Sequence, residues 1–287
     1  MGLLQDRMSR DMERAGLVPR TREQYIAAIV EMARWFDRSP EVLVPDDIRT
    51  WDDELRRRKY SQGWHGIHTA ALMFLYRRTL WRPEMVSFLF FGRKGQKLPT
   101  VLSTEEAFRL LDAIREPRYH VLFALLYDTG LRIAEGANLR AGDIDRACGV
   151  IHVRSGKGNK ERLVKLGEQM YEMLRLHWKQ VRMSDPHSEP LSRESLLFCN
   201  VKGGRLCLST ARRALTLAVQ RAGITKPVTP HTLRHSYATS QLEAGVDIKV
   251  VQAQLGHADI SSTQIYLRVS RRLILQAPSP LDTMGPK

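Results

Sequence analysis

Four stretches of this 287-residue chain carry residue types that together suit chemistry at a phosphodiester. His231-Thr-Leu-Arg234-His places a histidine and an arginine three apart. Tyr266 follows His257 by nine residues in Leu255-Gly-His-Ala-Asp-Ile-Ser-Ser-Thr-Gln-Ile-Tyr266. Arg132 lies in Thr129-Gly-Leu-Arg-Ile-Ala-Glu135, and Lys157 in Ser155-Gly-Lys-Gly-Asn-Lys160. A phenol can attack phosphorus if cations surround the two non-bridging oxygens, where negative charge builds in the transition state. Arginine suits that task because its planar fork donates two hydrogen bonds to one phosphate, and Arg132 and Arg234 are the candidates. Histidines would move protons or orient oxygens. Lys157, at a glycine-flanked hairpin tip, is either a solvated turn lysine or a proton donor to a departing 5′ oxygen.

His231 and His235 are four apart, a spacing that also suits half a metal site. No glutamate lies between them and no Asp/Glu/Cys cluster completes a shell, so the expectation is no metal and no cofactor. The chain has eight tyrosines, at 25, 60, 76, 119, 127, 171, 237 and 266. Most read as packing residues. Tyr266 differs because it follows a Gly-His helix end and a cap, which predicts a ring exposed on a short mobile segment.

Hydrophobic residues make up 43% of the composition, enough for a real core in one large or two ordinary domains. The net charge of +14 favours a polyanionic partner. Both parts are basic: residues 1–98 hold 18 Lys+Arg against 13 Asp+Glu, and residues 99–287 hold 27 against 18. Cys148, Cys199 and Cys207 form no CxxC pair, which fits a reducing cytoplasm. No signal-peptide pattern opens the chain. The longest apolar run, Val121 to Tyr127, is far short of the roughly 20 residues that span a bilayer.

Helical patterns dominate the first 90 residues. Thr21-Arg-Glu-Gln24 has the form of a capping box, with Tyr25, Ile29, Ala33 and Phe36 following at helical spacing. Further helices are predicted over 46–58 and 66–80, and no strand alternation precedes residue 90. Residues 91–98 read as a linker whose charges are Arg93, Lys94 and Lys97, either a solvated loop or a basic strap along a DNA backbone. A second capping box, Ser103-Thr-Glu-Glu106, opens a helix through about Ile114. Residues 118–128 form a buried helix ended by Thr129-Gly130, and 150–153 and 162–166 form two strands around the 155–160 hairpin loop. Ser209 caps a helix that stops at Gly223. Helices then run from His231 to Ala244 and from about Asp247 to Leu255, and Ser261-Ser-Thr-Gln264 caps the segment holding Tyr266. The tail from Arg271 frays toward its end. The domain reading is 1–90 helical, 91–98 linker, 99–270 catalytic and 271–287 tail.

At this point the chain resembles the tyrosine recombinases of the phage-integrase family, essentially end to end, and is closest in motif to Xer-type and integron-type integrases. The family signature is an arginine, a hairpin lysine, a His-x-x-Arg pair, a later His or Trp, and a nucleophilic tyrosine. Here they stand in order as Arg132, Lys157, His231, Arg234, His257 and Tyr266. The resemblance implies a multi-domain chain with an all-α core-binding domain and a mixed α/β catalytic domain, mainly helical with a small antiparallel sheet. The two would clamp duplex DNA, with Arg93, Lys94, Lys97 and Lys160 on its backbone. Tyr266 would give a 3′-phosphotyrosyl bond and a free 5′ hydroxyl. Arg132, Arg234 and His257 would stabilise the phosphorane, Lys157 would act as general acid, and His231 would accept or orient the proton of Tyr266. Glu135 would buttress the site.

Rejoining to a partner strand through a Holliday junction needs neither ATP nor metal. The implied partner is double-stranded DNA with inverted core-type repeats, bound by a homotetramer on two sites, with room for a partner recombinase or accessory factor, in the cytoplasm with the nucleoid and not at a membrane. The roughly 90 residues before the linker leave no room for the arm-binding domain of lambda-type integrases. The stretch between hairpin and Ser209 is too short for the helical insertion of integron integrases, which speaks against folded single-stranded sites. The rival readings are type IB topoisomerase-like cleavage and religation, a catalytically silent DNA-binding protein, and a metal-dependent nuclease.

Overall fold

The computed structural model describes residues 2–58, 60–91, 98–154, 161–183, 192–200, 203–257, 259–268 and 270. Arg93, Lys94, Lys97, Lys157, Lys160 and the 271–287 tail therefore lie outside the described residues, as does the hairpin loop. The chain divides into two compact units, Met1–Gln96 and Lys97–Lys287.

The regular structure among the first unit's described residues is all helical, led by α1 (Gly2–Arg14), α2 (Pro19–Phe36), α3 (Pro45–Arg57) and α4 (Gln62–Phe74). α2 starts two residues ahead of the expected capping box. Pro19, with its φ preset and no N–H to leave unpaired, takes the first turn, and Val18 is the cap residue. α3 carries Asp46 and Asp47 in its first turn and Arg56 and Arg57 in its last, so charge complements the helix dipole at both ends. Its Ile48, Trp51 and Leu55 point one way and are buried against Met8, Met12, Met32 and Leu72. After α4 the chain widens into a π-turn, Leu75–Thr79, and the Tyr76 hydroxyl within it donates to the Pro40 carbonyl at 2.8 Å.

The second unit builds its core around α6 (Pro117–Thr129), whose residues 121–126 are all buried. A helix apolar all round belongs inside a core, and α6 packs against α10 (Pro230–Glu243), α8 (Glu168–Met183) and α5 (Thr104–Asp112). α5 has the expected capping box, with the Ser103 amide donating to Glu106 at 2.8 Å and the Glu106 amide to the Ser103 hydroxyl at 3.2 Å. The short α7 (Ile133–Ala137) follows α6. Strands β1 (Ile144–Asp145), β2 (Val150–Val153) and β3 (Arg162–Lys165) form one antiparallel sheet in sequence order. Ile151 pairs with Val164, and both are buried, while His152 between Ile151 and Val153 is exposed. The two-residue β1 is too short to show an alternation in sequence.

The remaining helices are α9 (Leu208–Arg221), α11 (Ile248–Leu255) and α12 (Ser261–Gln264). Two expected caps move. Cys207, not Ser209, precedes α9, and Ser261 is the first residue of α12, its hydroxyl donating to Asp259 at 2.7 Å. α10 likewise starts at Pro230, with Thr229 as cap, its amide donating to the Thr232 hydroxyl at 3.0 Å. The expected architecture of a helical domain plus a mainly helical α/β domain with a small antiparallel sheet is borne out. No described helix is long and apolar enough to cross a membrane.

Candidate active site

The ends of α6 and α11 create a place for a buried cation. α6 stops at Gly130, whose φ of 65° is left-handed and whose Cβ, if present, would lie 2.4 Å from the Tyr237 ring. Only glycine meets both demands there. α11 stops at Gly256 in the same way, with φ 64°. Helix C-termini leave carbonyls unpaired and carry partial negative charge. Arg234 of α10 enters between them, donating to the Gly130 carbonyl at 2.6 Å and the Leu255 carbonyl at 2.5 Å. It is only 3% exposed. Burial and the neighbouring Arg132 push its pKa down to about 10, so it remains a cation at neutral pH.

Arg132 lies two residues beyond Gly130, at the start of α7. Its backbone amide and its guanidinium both donate to Glu135 at 2.8 Å. Glu135 also takes two bonds from Arg162 at the head of β3, at 3.0 and 2.7 Å, and Arg162 Nε donates to the Gln254 carbonyl at 2.7 Å. Burial alone would raise the Glu135 pKa, but the Arg162 fork and the Arg132 amide and side chain hold it at about 2. A carboxylate in that state fixes both guanidinium groups. Arg162 was not singled out in the sequence. Its one signal is a basic residue opening the strand after the glycine-bearing loop.

Tyr266 completes the cluster, but not as expected. It is 1% exposed, packed with Tyr237, Ala238, Leu242, Val251 and Leu255. The expected exposed ring is therefore corrected: the turn after α12 folds back onto α10 and α11, and their apolar faces cover the phenol ring. The hydroxyl lies 3.0 Å from His235 Nδ1. His257 stacks alongside, ring centroids 6.3 Å apart and planes 22° apart, with its Nδ1 at 2.9 Å from the Thr263 hydroxyl. The expected partner of Tyr266, His231, makes no described hydrogen bond to it. Its ring lies 6.3 Å from that of His235. One turn of α10 decides the matter, because His235 is a turn nearer the segment that carries Tyr266.

Burial first lowers the pKa of all three histidines; next come the arginines at His231 and His257, and His231 then Arg234 at His235. His235 and His257 fall to about 4, and His231 falls in the same direction. They are neutral at pH 7, each able to accept a hydrogen bond at one ring nitrogen and donate at the other. Burial raises the Tyr266 pKa, while Arg234 and Arg132 pull it back. The arrangement is thus a phenol held by a neutral imidazole beside two guanidinium groups, suited to an anion with an electrophilic centre. Arg132, Arg234, His231, His257, Tyr266 and Glu135 come together, whereas Lys157 and Lys160 lie outside the described residues. No group of three or more potential metal ligands occurs among the described residues.

Residues 100–272 match the phage integrase family, and residues 4–84 match the phage integrase N-terminal SAM-like domain. An integrase/recombinase of Escherichia coli is 33% identical over 307 positions, covering 93% of this chain and 89% of its own. The tyrosine recombinase XerD of Oceanobacillus iheyensis is 40% identical over 183 residues, 62% of this chain and 61% of that one. Among solved structures, a lambda integrase fragment in a dimer bound to a core site superposes with a TM-score of 0.74 at 17% identity. It covers 93% of this chain and 94% of its own, and supports the fold.

Proposed function

This chain belongs to the phage integrase family and is a tyrosine recombinase, and from that premise we propose that Tyr266 is its nucleophile and the cluster around it the active site. The enzyme carries out site-specific recombination of DNA, cleaving and rejoining strands. Tyr266 attacks the scissile phosphate, leaving a 3′-phosphotyrosyl bond and a free 5′ hydroxyl. Arg132 and Arg234 neutralise the phosphorane, where electrostatic stabilisation counts most. His257 and His231 orient its oxygens, and Lys157 protonates the 5′ oxygen. Attack by the 5′ hydroxyl of a partner strand then rejoins the DNA through a Holliday junction. The substrate is a pair of duplex sites with inverted core-type repeats, held by a homotetramer, alone or with a partner recombinase or accessory factor, at the nucleoid in the cytoplasm.

The observation that carries this reading is the position of the Tyr266 hydroxyl: 3.0 Å from His235, with burial raising its pKa and Arg234 and Arg132 opposing that rise. Two guanidinium groups, of Arg234 and Arg132, act on this phenol, and their charge suits a phosphate. A duplex site recovered by selection from random-sequence DNA, nicked beside the cleavage point, tests it. The wild type accumulates a covalent protein–DNA complex because the short 5′ fragment escapes. Tyr266→Phe binds the same duplex with unchanged affinity and forms no complex. A covalent complex with the Phe variant moves the nucleophile elsewhere.

A further inference from the structure

We infer that His235, the histidine one residue beyond the His-x-x-Arg pair, accepts the phenolic proton as Tyr266 attacks phosphorus and returns it when the tyrosine leaves. The inference rests on Tyr266 being the nucleophile.

Its geometric basis is the contact between the Tyr266 hydroxyl and His235 Nδ1 at 3.0 Å. A neutral imidazole with its proton on Nε2 presents the Nδ1 lone pair to that hydroxyl, the distance at which a general base acts. The two other histidines are placed for different work. His257 lies ring to ring with Tyr266, and its Nδ1 is engaged with Thr263. The ring contact of His231 is with His235, 6.3 Å between centroids. The groups that act on His235 are His231 and Arg234 from its own helix. Beyond them lie His257 at the end of α11, Arg132 and Glu135 at the start of α7, and Arg162 of β3, all gathered around Arg234 and Tyr266.

That surrounding charge makes the step conditional on DNA. In the free protein, burial and the nearby cations keep His235 from taking a proton. A bound phosphate brings negative charge to the same site, and the growing charge of the phosphorane favours an imidazolium beside it. The protons balance. As the Tyr266 oxygen–phosphorus bond forms, its O–H proton passes to His235 Nδ1. As the phosphorus–5′ oxygen bond breaks, a separate donor, Lys157 in the reading above, protonates the 5′ oxygen. In rejoining, the incoming 5′ hydroxyl returns its proton to that donor, and the His235 imidazolium protonates the departing tyrosyl oxygen.

The test follows formation of the covalent complex on the nicked duplex in a single turnover, as a function of pH. His235→Asn keeps an acceptor oxygen near the Nδ1 position but cannot carry the proton, whereas His235→Ala removes both. Both should lose roughly 10²–10⁴-fold in rate at pH 7, the usual size of a general-base effect, with unchanged affinity for the duplex, and His235→Asn, which keeps an acceptor for the phenol, should also keep its melting midpoint. The rate of the wild type should rise with pH along an acidic limb that His235→Asn lacks. A 5′-bridging sulfur should restore cleavage to Lys157→Ala and to neither His235 variant, because sulfur relieves only the leaving side. His235→Asn cleaving within a few-fold of wild type with the acidic limb intact would reduce His235 to a hydrogen-bond partner and overturn the inference. So would His231→Ala abolishing that limb while His235→Asn keeps it. Recovery of a complex from Tyr266→Phe is a different failure, that of the nucleophile itself. Should Asn perturb the fold, as loss of duplex affinity would show, His235→Gln supplies a second non-basic acceptor read by the same limb.

Discussion

Glu135 holds Arg132 and Arg162 together, and its side chain is only 6% exposed. Removing one member of a buried charge pair leaves the others uncompensated, which costs about 3–5 kcal/mol. Glu135→Ala should therefore lower the unfolding free energy by that amount. It should also slow formation of the covalent complex far more than it weakens DNA binding, because Arg132 loses its orientation. Equal losses in both would mean that Glu135 serves the fold alone. One buried and two half-buried histidines add a pH dependence. His68, His235 and His257 sit at about 4 in the folded protein against an ordinary value of 6.5. Above pH 6.5 both states are neutral and stability is fully present. Between 6.5 and 4 the unfolded chain takes up protons that the folded one refuses, so stability falls. A thermal midpoint that stays constant from pH 7 to pH 4.5 would contradict this.

Arg132, Arg234, His257 and Tyr266 were legible because each stands in an extended local pattern. His235 as the partner of Tyr266, and Arg162 as the partner of Glu135, were not. Those contacts join residues 31 and 27 positions apart and depend on which turn of α10 meets the segment after α12. Burial of Tyr266 was hidden for the same reason: local sequence shows a loop, and tertiary packing decides what covers it.

At the scale of elements, the site is held by two helix ends. Gly130 and Gly256 stop α6 and α11 in left-handed conformations, and the carbonyls left over receive Arg234. Gly130→Ala imposes a positive φ on a residue with a Cβ and drives that Cβ into Tyr237. The two effects together should cost about 2–4 kcal/mol. The same change shifts the carbonyl that fixes Arg234, so cleavage should fall beyond what stability explains. A variant as stable and as active as wild type would refute this account of the helix end. The helices themselves were readable from apolar spacing, and their starts less so. At Pro19 and Pro230 a proline in the first turn displaced the expected start, and β1 offered too few residues to carry any pattern.

At the scale of the whole molecule, a net charge of +14 shared by both units sets how the protein meets DNA. Binding should weaken with salt at about 0.9 log units per phosphate contact per log unit of salt concentration. Arg93, Lys94 and Lys97, in the segment between the two matched domains, lie outside the described residues, and their proposed contact with the backbone is read from charge alone. Neutralising all three should flatten the salt slope while leaving the ranking of DNA sequences intact. An unchanged slope would remove this segment from the interface. The two-unit division agrees in kind with the separate cores, Trp51 and Tyr76 buried in one and α6 in the other.

The central claim is that one phenol, Tyr266, carries the DNA between cleavage and rejoining. Its most direct test is to trap the wild-type covalent complex on nicked duplex, digest the protein, and identify the peptide bound to the 3′ phosphate by mass spectrometry. The account predicts a single DNA-linked peptide modified at Tyr266. Linkage through Tyr237, through any other tyrosine, or through a serine would contradict it.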